Sequence, residues 1–230
     1  MKKVSLRPFA LSLLILPFLI SGAEQHPKRS FSFSNAELVL VAGAKIVEPS
    51  TFACQEDQGH LALATPAETS LAKAQGFNGF VFGQAGEDAL TTACQQLITT
   101  NTSNYEIGAA VATPSFNLRD KGYKNIIHSP APRREWYPTE KEQNDRLTAC
   151  YSNILTVVRQ LGLKGVATVP FGTGVAGYTH NDSARLLAGA IYSLQQASGD
   201  SKRIYVIYGN AADLETAATA VSTFQHEHEA

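Results

Sequence analysis

Short apolar runs at residues 37–42, 61–64, 108–112, 125–128, 165–169 and 204–208 punctuate the chain, each continuous or alternating and each too short for a helix. Between most of them the hydrophobic period lengthens to that of a helix. Residues 88–99 place Leu90, Ala93, Cys94 and Leu97 on one face. Thr139-Glu140-Lys141-Glu142 has the spacing of a capping box, and behind it Leu147, Tyr151, Ile154, Leu155, Val158 and Leu161 form an apolar stripe. Residues 183–194 align Leu187, Ile191 and Leu194, and a last helix at about 212–224 buries Leu214, Ala217, Val221 and Phe224. Strands alternating with such helices predict a three-layer α/β/α fold around a mixed, mostly parallel sheet of about six strands.

The amino-terminal end follows a different pattern. Lys2, Lys3 and Arg7 precede an apolar stretch over residues 9–20, and Ser21-Gly22-Ala23 supplies the small residues a signal peptidase needs. About 12 apolar residues broken by Pro17 fall short of the roughly 20 of a spanning helix, so residues 1–23 read as a cleaved export signal. No cysteine follows for lipid attachment, and no later run is long enough to span a bilayer. The mature chain is therefore expected to be exported, periplasmic or secreted, and free of the membrane. Residues 24–35 are polar, with His26-Pro27-Lys28-Arg29, and read as a flexible lead-in. The predicted domain occupies residues 36–226, with 227–230 as a tail.

A net charge of −1 with scattered Lys and Arg gives no basic stripe, so a nucleic acid duplex is not an expected partner. Three cysteines, an odd number without C-x-x-C spacing, exclude a disulfide framework. Cys94 and Cys150 lie in helical patterns as small buried residues, whereas Cys54, in a polar loop, is the expected exposed thiol. No activating histidine is legible beside it.

The most informative segment is Gly172-Thr173-Gly174-Val175-Ala176-Gly177-Tyr178, a glycine-rich turn between the predicted strand at 165–169 and the helix at 183–194. Such a turn at a strand's carboxyl end can wrap backbone amides around a phosphate, although tight backbone geometry alone also demands glycines. Gly172, Gly174 and Gly177 also satisfy the dinucleotide spacing G-x-G-x-x-G. That motif needs the helix to open inside the glycines and an acid about 20 residues on, at the next strand's end. Here Tyr178-Thr179-His180-Asn181-Asp182 intervenes, and the strand at 203–208 runs into Gly209-Asn210 with no carboxylate.

Four stretches, in order, resemble the macro domain, the module that binds ADP-ribose and related nucleotides. They are Gly76-Phe-Asn-Gly-Phe-Val-Phe-Gly-Gln-Ala-Gly86, Ala112-Thr-Pro-Ser-Phe-Asn-Leu118, Ile126-Ile-His-Ser-Pro-Ala-Pro132 and Gly172 to Tyr178, with the long helix carrying Arg146 to Leu155 between the last two. The resemblance implies that ADP-ribose lies in a crevice between two loops. Its diphosphate would be held by Gly172, Thr173, Gly174, Val175, Ala176 and Gly177 and by the region of Gly76, Asn78 and Gly79, with Tyr178 bordering a ribose or the adenine. Asn78 stands where the family usually has aspartate, and turn formation is its alternative role. The expected partner is an ADP-ribose-like small molecule or an ADP-ribosylated protein, with no cofactor and no metal.

The departures from the family matter equally. The position whose aspartate accepts from the adenine amino group aligns with Ala44, and losing such a bond weakens binding by about ten- to a hundredfold. The hydrolytic Asn-Ala-Ala-Asn segment aligns with Thr65-Pro66-Ala67-Glu68, so Glu68 replaces the asparagine that orients the attacking water. The glycines that follow in the family align with Lys73-Ala74-Gln75-Gly76. This half of the site reads as eroded or repurposed. Glu68 and His180 are the candidate catalytic groups, Glu68 as a general base and His180 as a hydrogen-bond donor or proton-transfer group beside a bound phosphate, against the plain reading of a carboxylate that is solvated or repels the diphosphate and a polar loop in which Asn181 or Asp182 caps the next helix. His128 reads as a packed strand-end residue, and His226 and His228 as a solvated tail. Three functions stay open: a nucleotide reader, a hydrolase removing ADP-ribose or cleaving a related phosphoester, and a ligand-free domain serving as an interaction surface.

Overall fold

A computed structural model describes residues 26–34, 36–195 and 202–228, so the predicted export signal at 1–23 lies outside the described residues. Among the described residues, seven strands form one sheet in the order β1-β2-β7-β6-β3-β5-β4. In chain order these are β1 (Lys28–Phe33), β2 (Ala36–Ala42), β3 (Leu61–Ala67), β4 (Val111–Pro114), β5 (Tyr123–Pro130), β6 (Gly165–Thr168) and β7 (Lys202–Tyr208). The five inner strands run parallel, while β1 and β4 lie antiparallel on the two edges. Among the described residues, five helices cover the faces: α1 (Phe77–Ala85), α2 (Glu87–Asn101), α3 (Glu140–Gln160), α4 (His180–Gln195) and α5 (Ala211–His228).

The central strands are buried on both faces, which is why they read as near-continuous apolar runs. Alternation along each strand divides the core in two. Leu38, Leu40, Ile204, Val206 and Tyr208 face the layer of α3, α4 and α5. Val39, Val41, Tyr205 and Ile207 belong to the opposite core layer, where Tyr205 packs edge-on against Phe52 of the β2–β3 connection. The helix ends are specified locally. The Thr139 hydroxyl accepts from the Glu142 amide at 3.2 Å and donates to the Glu142 carboxylate at 2.8 Å, opening α3. At the other end Gly162, at φ +62°, lets Leu163 N–H reach the Val158 carbonyl, a closure that needs the left-handed conformation.

The lead-in prediction is corrected here: residues 28–33 are the edge strand β1, paired from Lys28↔Val41 to Phe33↔Ala36. Only one face of an edge strand meets the core, and in β1 only Phe33 is buried, so the segment reads as polar although it is ordered. It supplies the strand by which the sheet exceeds the six expected. The tail prediction is corrected likewise, because α5 continues through His228, whose ring stacks on Phe224 at 4.0 Å while Glu227 pairs with Arg185. The strand expected at 108–112 begins at Val111, since Gly108 at φ +94° makes a turn and donates instead to the Pro130 carbonyl.

Candidate functional site

Adjacent parallel strands β3 and β6 both end at the carboxyl edge of the sheet, and each runs into a loop the sequence had singled out. Thr168, the last residue of β6, ties the two by donating to the Ala64 carbonyl at 3.3 Å. Crevices at such edges are where open α/β sheets bind ligands.

Beyond β6 the loop is anchored at its base. Phe171 is fully buried, and its N–H donates to the Tyr151 hydroxyl at 3.0 Å, which meets the Ser183 hydroxyl of α4 at 2.6 Å. Burial pushes the Tyr151 phenol well above its ordinary value, so it stays protonated. Thr173 donates to the Pro170 carbonyl at 3.1 Å, Gly177 N–H to Gly174 O at 3.2 Å, and Tyr178 N–H to Gly172 O at 3.0 Å. Gly172 and Gly177 both sit at φ +82°, a conformation that favours glycine. The amides of Thr173, Gly174, Val175 and Ala176 have no backbone partner among the described residues. Val175 is 88% exposed, and a Cβ built on Gly174 meets nothing within 4 Å.

Tyr178 is buried at the foot of this loop. Its hydroxyl donates to the Gln143 carbonyl at 2.7 Å, and burial raises the phenol to about 12. The helix that follows starts earlier than expected, at His180. Thr179 is its cap: the Thr179 hydroxyl accepts from Asp182 N–H at 3.0 Å while the Asp182 carboxylate faces Thr179 N–H at 3.4 Å. The cap predicted at Asn181 or Asp182 is thus corrected to Thr179, with Asp182 in the reciprocal position, because a threonine three residues before an acid satisfies two helix-terminal amides at once.

The other loop is shaped by Asn78 and Gly79. Asn78 is buried, accepts from Ala74 N–H at 2.8 Å and donates to Pro66 O at 3.0 Å, which pins the loop to the end of β3. A Cβ on Gly79 would collide with the Ala74 carbonyl. Gly76 opens α1 at φ +68°. Glu68, directly after β3, is exposed, and its carbonyl accepts from Leu71 N–H. Ala44 follows Gly43, whose N–H donates to Tyr208 O at 2.9 Å at the same carboxyl edge.

His180 packs on Tyr208, ring centroids 5.6 Å apart, with Nε2 3.8 Å from the Asp213 carboxylate. His128 is fully buried, with Nε2 3.0 Å from the Thr113 hydroxyl; burial drives its pKa down to about 4, so the ring is neutral. Cys94 and Cys150 are buried, and burial raises both thiols to about 11, whereas Cys54 is partly exposed beside Arg203 Nη1 at 2.9 Å. No metal-competent group of His, Cys, Asp or Glu exists among the described residues.

A cavity of about 340 Å³ opens against the second loop, lined by Arg134, Glu135, Gln143, Val175, Ala176 and Gly177. Of the residues predicted for the site its wall contains only Val175, Ala176 and Gly177; Gly172, Thr173, Gly174 and Tyr178 of the same loop are not in it, nor are Gly76, Asn78, Gly79, Glu68 and His180. Arg134, Glu135 and Gln143 escaped the sequence reading, and a basic residue close behind Pro132 was the one available signal.

An α/β/α sandwich with a glycine loop at the carboxyl edge of a central parallel strand defines the class. The chain belongs to the macro domain family, whose family model matches residues 64–187. Among curated relatives, an uncharacterized protein of Fusobacterium nucleatum is 29% identical over 126 residues, 54% of this chain and 65% of that protein, so this match spans just under two thirds of the relative. A macro domain-containing protein of Ralstonia nicotianae is 28% identical over 173 residues, 75% of this chain and 90% of that one. Among solved structures, the Oceanobacillus iheyensis macrodomain with ADP superposes with a TM-score of 0.73 at 22% identity, covering 88% of this chain and 98% of that one. The Trypanosoma brucei macrodomain in complex with ADP gives 0.63 at 20% identity, covering 80% and 68%.

Proposed function

We propose that this chain is an exported macro domain that binds ADP-ribose, or ADP-ribosylated protein, through the backbone amides of Thr173 to Ala176. The observation that carries the reading is that these amides have no backbone partner among the described residues, at the carboxyl edge of β6, in a loop whose shape Gly172 and Gly177 fix. Structures of relatives with ADP, and of a variant Oceanobacillus iheyensis macrodomain with ADPR, agree with a diphosphate-bearing ligand.

The site is one-sided in this reading. Ala44 offers no side-chain acceptor for an adenine amino group, and a single glycine, Gly76, opens the first loop. Recognition then rests on the diphosphate and its neighbouring ribose, with little hydrolysis. Export rests on the pattern of residues 1–23 and is tested by sequencing the amino terminus of the secreted or periplasmic protein.

Calorimetric titration of the chain with ADP-ribose tests the binding, with Gly174→Glu as control. Open space around Gly174 lets the glutamate be accommodated without disturbing the loop, so it blocks the cradle and leaves the fold intact. Micromolar affinity lost in the variant supports the reading; equal affinity in both, or none in either, sinks it.

A further inference from the structure

We infer that Arg134 is a positioning residue for the second loop, holding its amides in place for the diphosphate; this rests on the nucleotide-binding reading above. Arg134 begins a short helical turn between β5 and α3, outside the loop and outside the four short stretches singled out in the sequence. It nevertheless reaches the loop at successive points. Its main-chain N–H donates to the Ala176 carbonyl at 2.8 Å, a Cβ on Gly177 would stand 3.7 Å from its Cβ, and its guanidinium carbon lies 5.7 Å from the centre of the Tyr178 ring. Past the loop, Nη1 pairs with Asp182 at 2.8 Å at the start of α4.

The support is closed on itself. Arg134 Nε donates to Gln143 Oε1 at 2.9 Å, Gln143 Nε2 donates to Tyr137 O at 2.9 Å, and the Gln143 carbonyl takes the Tyr178 hydroxyl. The carboxyl end of the loop is thereby linked to α3 and α4, through the guanidinium at Gln143 and Asp182 and through the Tyr178 hydroxyl at the Gln143 carbonyl. The Arg134 and Asp182 side chains are 32% and 29% exposed, against 84% and 61% for the surface pair Lys141 and Asp145, so water screens the first pair far less. The guanidinium serves Gln143 from Nε and Asp182 from Nη1, two nitrogens held in one plane, whereas lysine carries all its donors on a single flexible nitrogen.

Binding energy is lost when a ligand must order a loop that was free. Removing the guanidinium therefore shifts that cost to ADP-ribose, and Arg134→Ala is expected to weaken its binding about tenfold or more, Arg134→Lys less. The experiment pairs calorimetry with hydrogen exchange at the amides of Gly177 and Tyr178 in the full chain and in Arg134→Ala, Arg134→Lys and Asp182→Asn. Faster exchange at these two amides with exchange in β7 unchanged, graded Ala above Lys, supports the positioning role. Unchanged exchange at Gly177 and Tyr178 overturns it, whether or not affinity falls, and so does a rise shared equally by the whole sheet. If the unaltered chain binds no ADP-ribose, the nucleotide reading fails while exchange still decides the role of Arg134. Should Arg134→Ala not fold, the lysine variant and Asp182→Asn carry the same comparison.

Discussion

Tyr178 occupies the space that a side chain at Gly172 would need: a Cβ there would stand 2.6 Å from Tyr178 Cδ2. The glycine is thus required by the residue at the far end of its own loop as well as by its φ of +82°. Gly172→Ala is expected to cost about 1–3 kcal/mol and lower Tm by several degrees, whereas Gly174→Glu leaves Tm within about a degree. Thermal unfolding of both variants checks the contrast, and equal losses would contradict it.

Asn78 is expected to resist replacement by the aspartate more usual in the family. Its amide donates to Pro66 O, and a carboxylate would set two acceptors against each other in a buried site. Asn78→Asp should destabilise the chain by about 1–3 kcal/mol at pH 7, read from the midpoint of denaturant unfolding.

His128 gives the fold an acid sensitivity. Its folded pKa of about 4 lies below the ordinary 6.5, so the unfolded chain binds the proton first as pH falls. The stabilisation is complete above pH 6.5 and is lost between 6.5 and 4, about 3 kcal/mol in all and about 2 kcal/mol by pH 5. Denaturant midpoints at pH 7.5 and 5 in the native chain and in His128→Gln test this. The slope with pH should be shallower in the variant by that amount; parallel slopes would reject the assignment.

Thiol chemistry should be selective. Cys94 and Cys150 are buried and protonated at neutral pH, while Cys54 is partly exposed. A disulfide reagent at pH 8 is expected to label Cys54 in the folded chain and all three cysteines only after denaturation. Mass spectrometry of the labelled peptides decides it.

The parallel strands and the helices α2 to α5 were legible because each carries its burial in its own residues: residues 38–42 and 204–208 are apolar throughout, and the stripe from Leu147 to Val158 repeats at helical spacing. β1 was not, since Lys28, Arg29 and Ser30 are exposed on an edge and the pairing with β2 uses backbone alone. The glycine loop was visible by composition. Its clamp was not, because Arg134 meets Asp182 across 48 residues and nothing in the local pattern of either announces the other. Gly79 and Asn78 show a related limit: their residue types suit a ligand loop, yet the contacts that explain them are internal to the protein.

β1 and β2 close one side of the sheet, β1 pairing with β2 and β2 with β7, which begins only at Lys202. Gln225, in the last helix, donates to the Ser32 carbonyl of β1, joining the first strand to the final turns of the chain. In a chain made amino terminus first, the backbone edge of β2 stays unpaired until Lys202 to Tyr208 have followed. Folding on this topology waits on contacts of high sequence separation and is intrinsically slow. Until β7 arrives, that open edge of β2 is available to the strands of other chains.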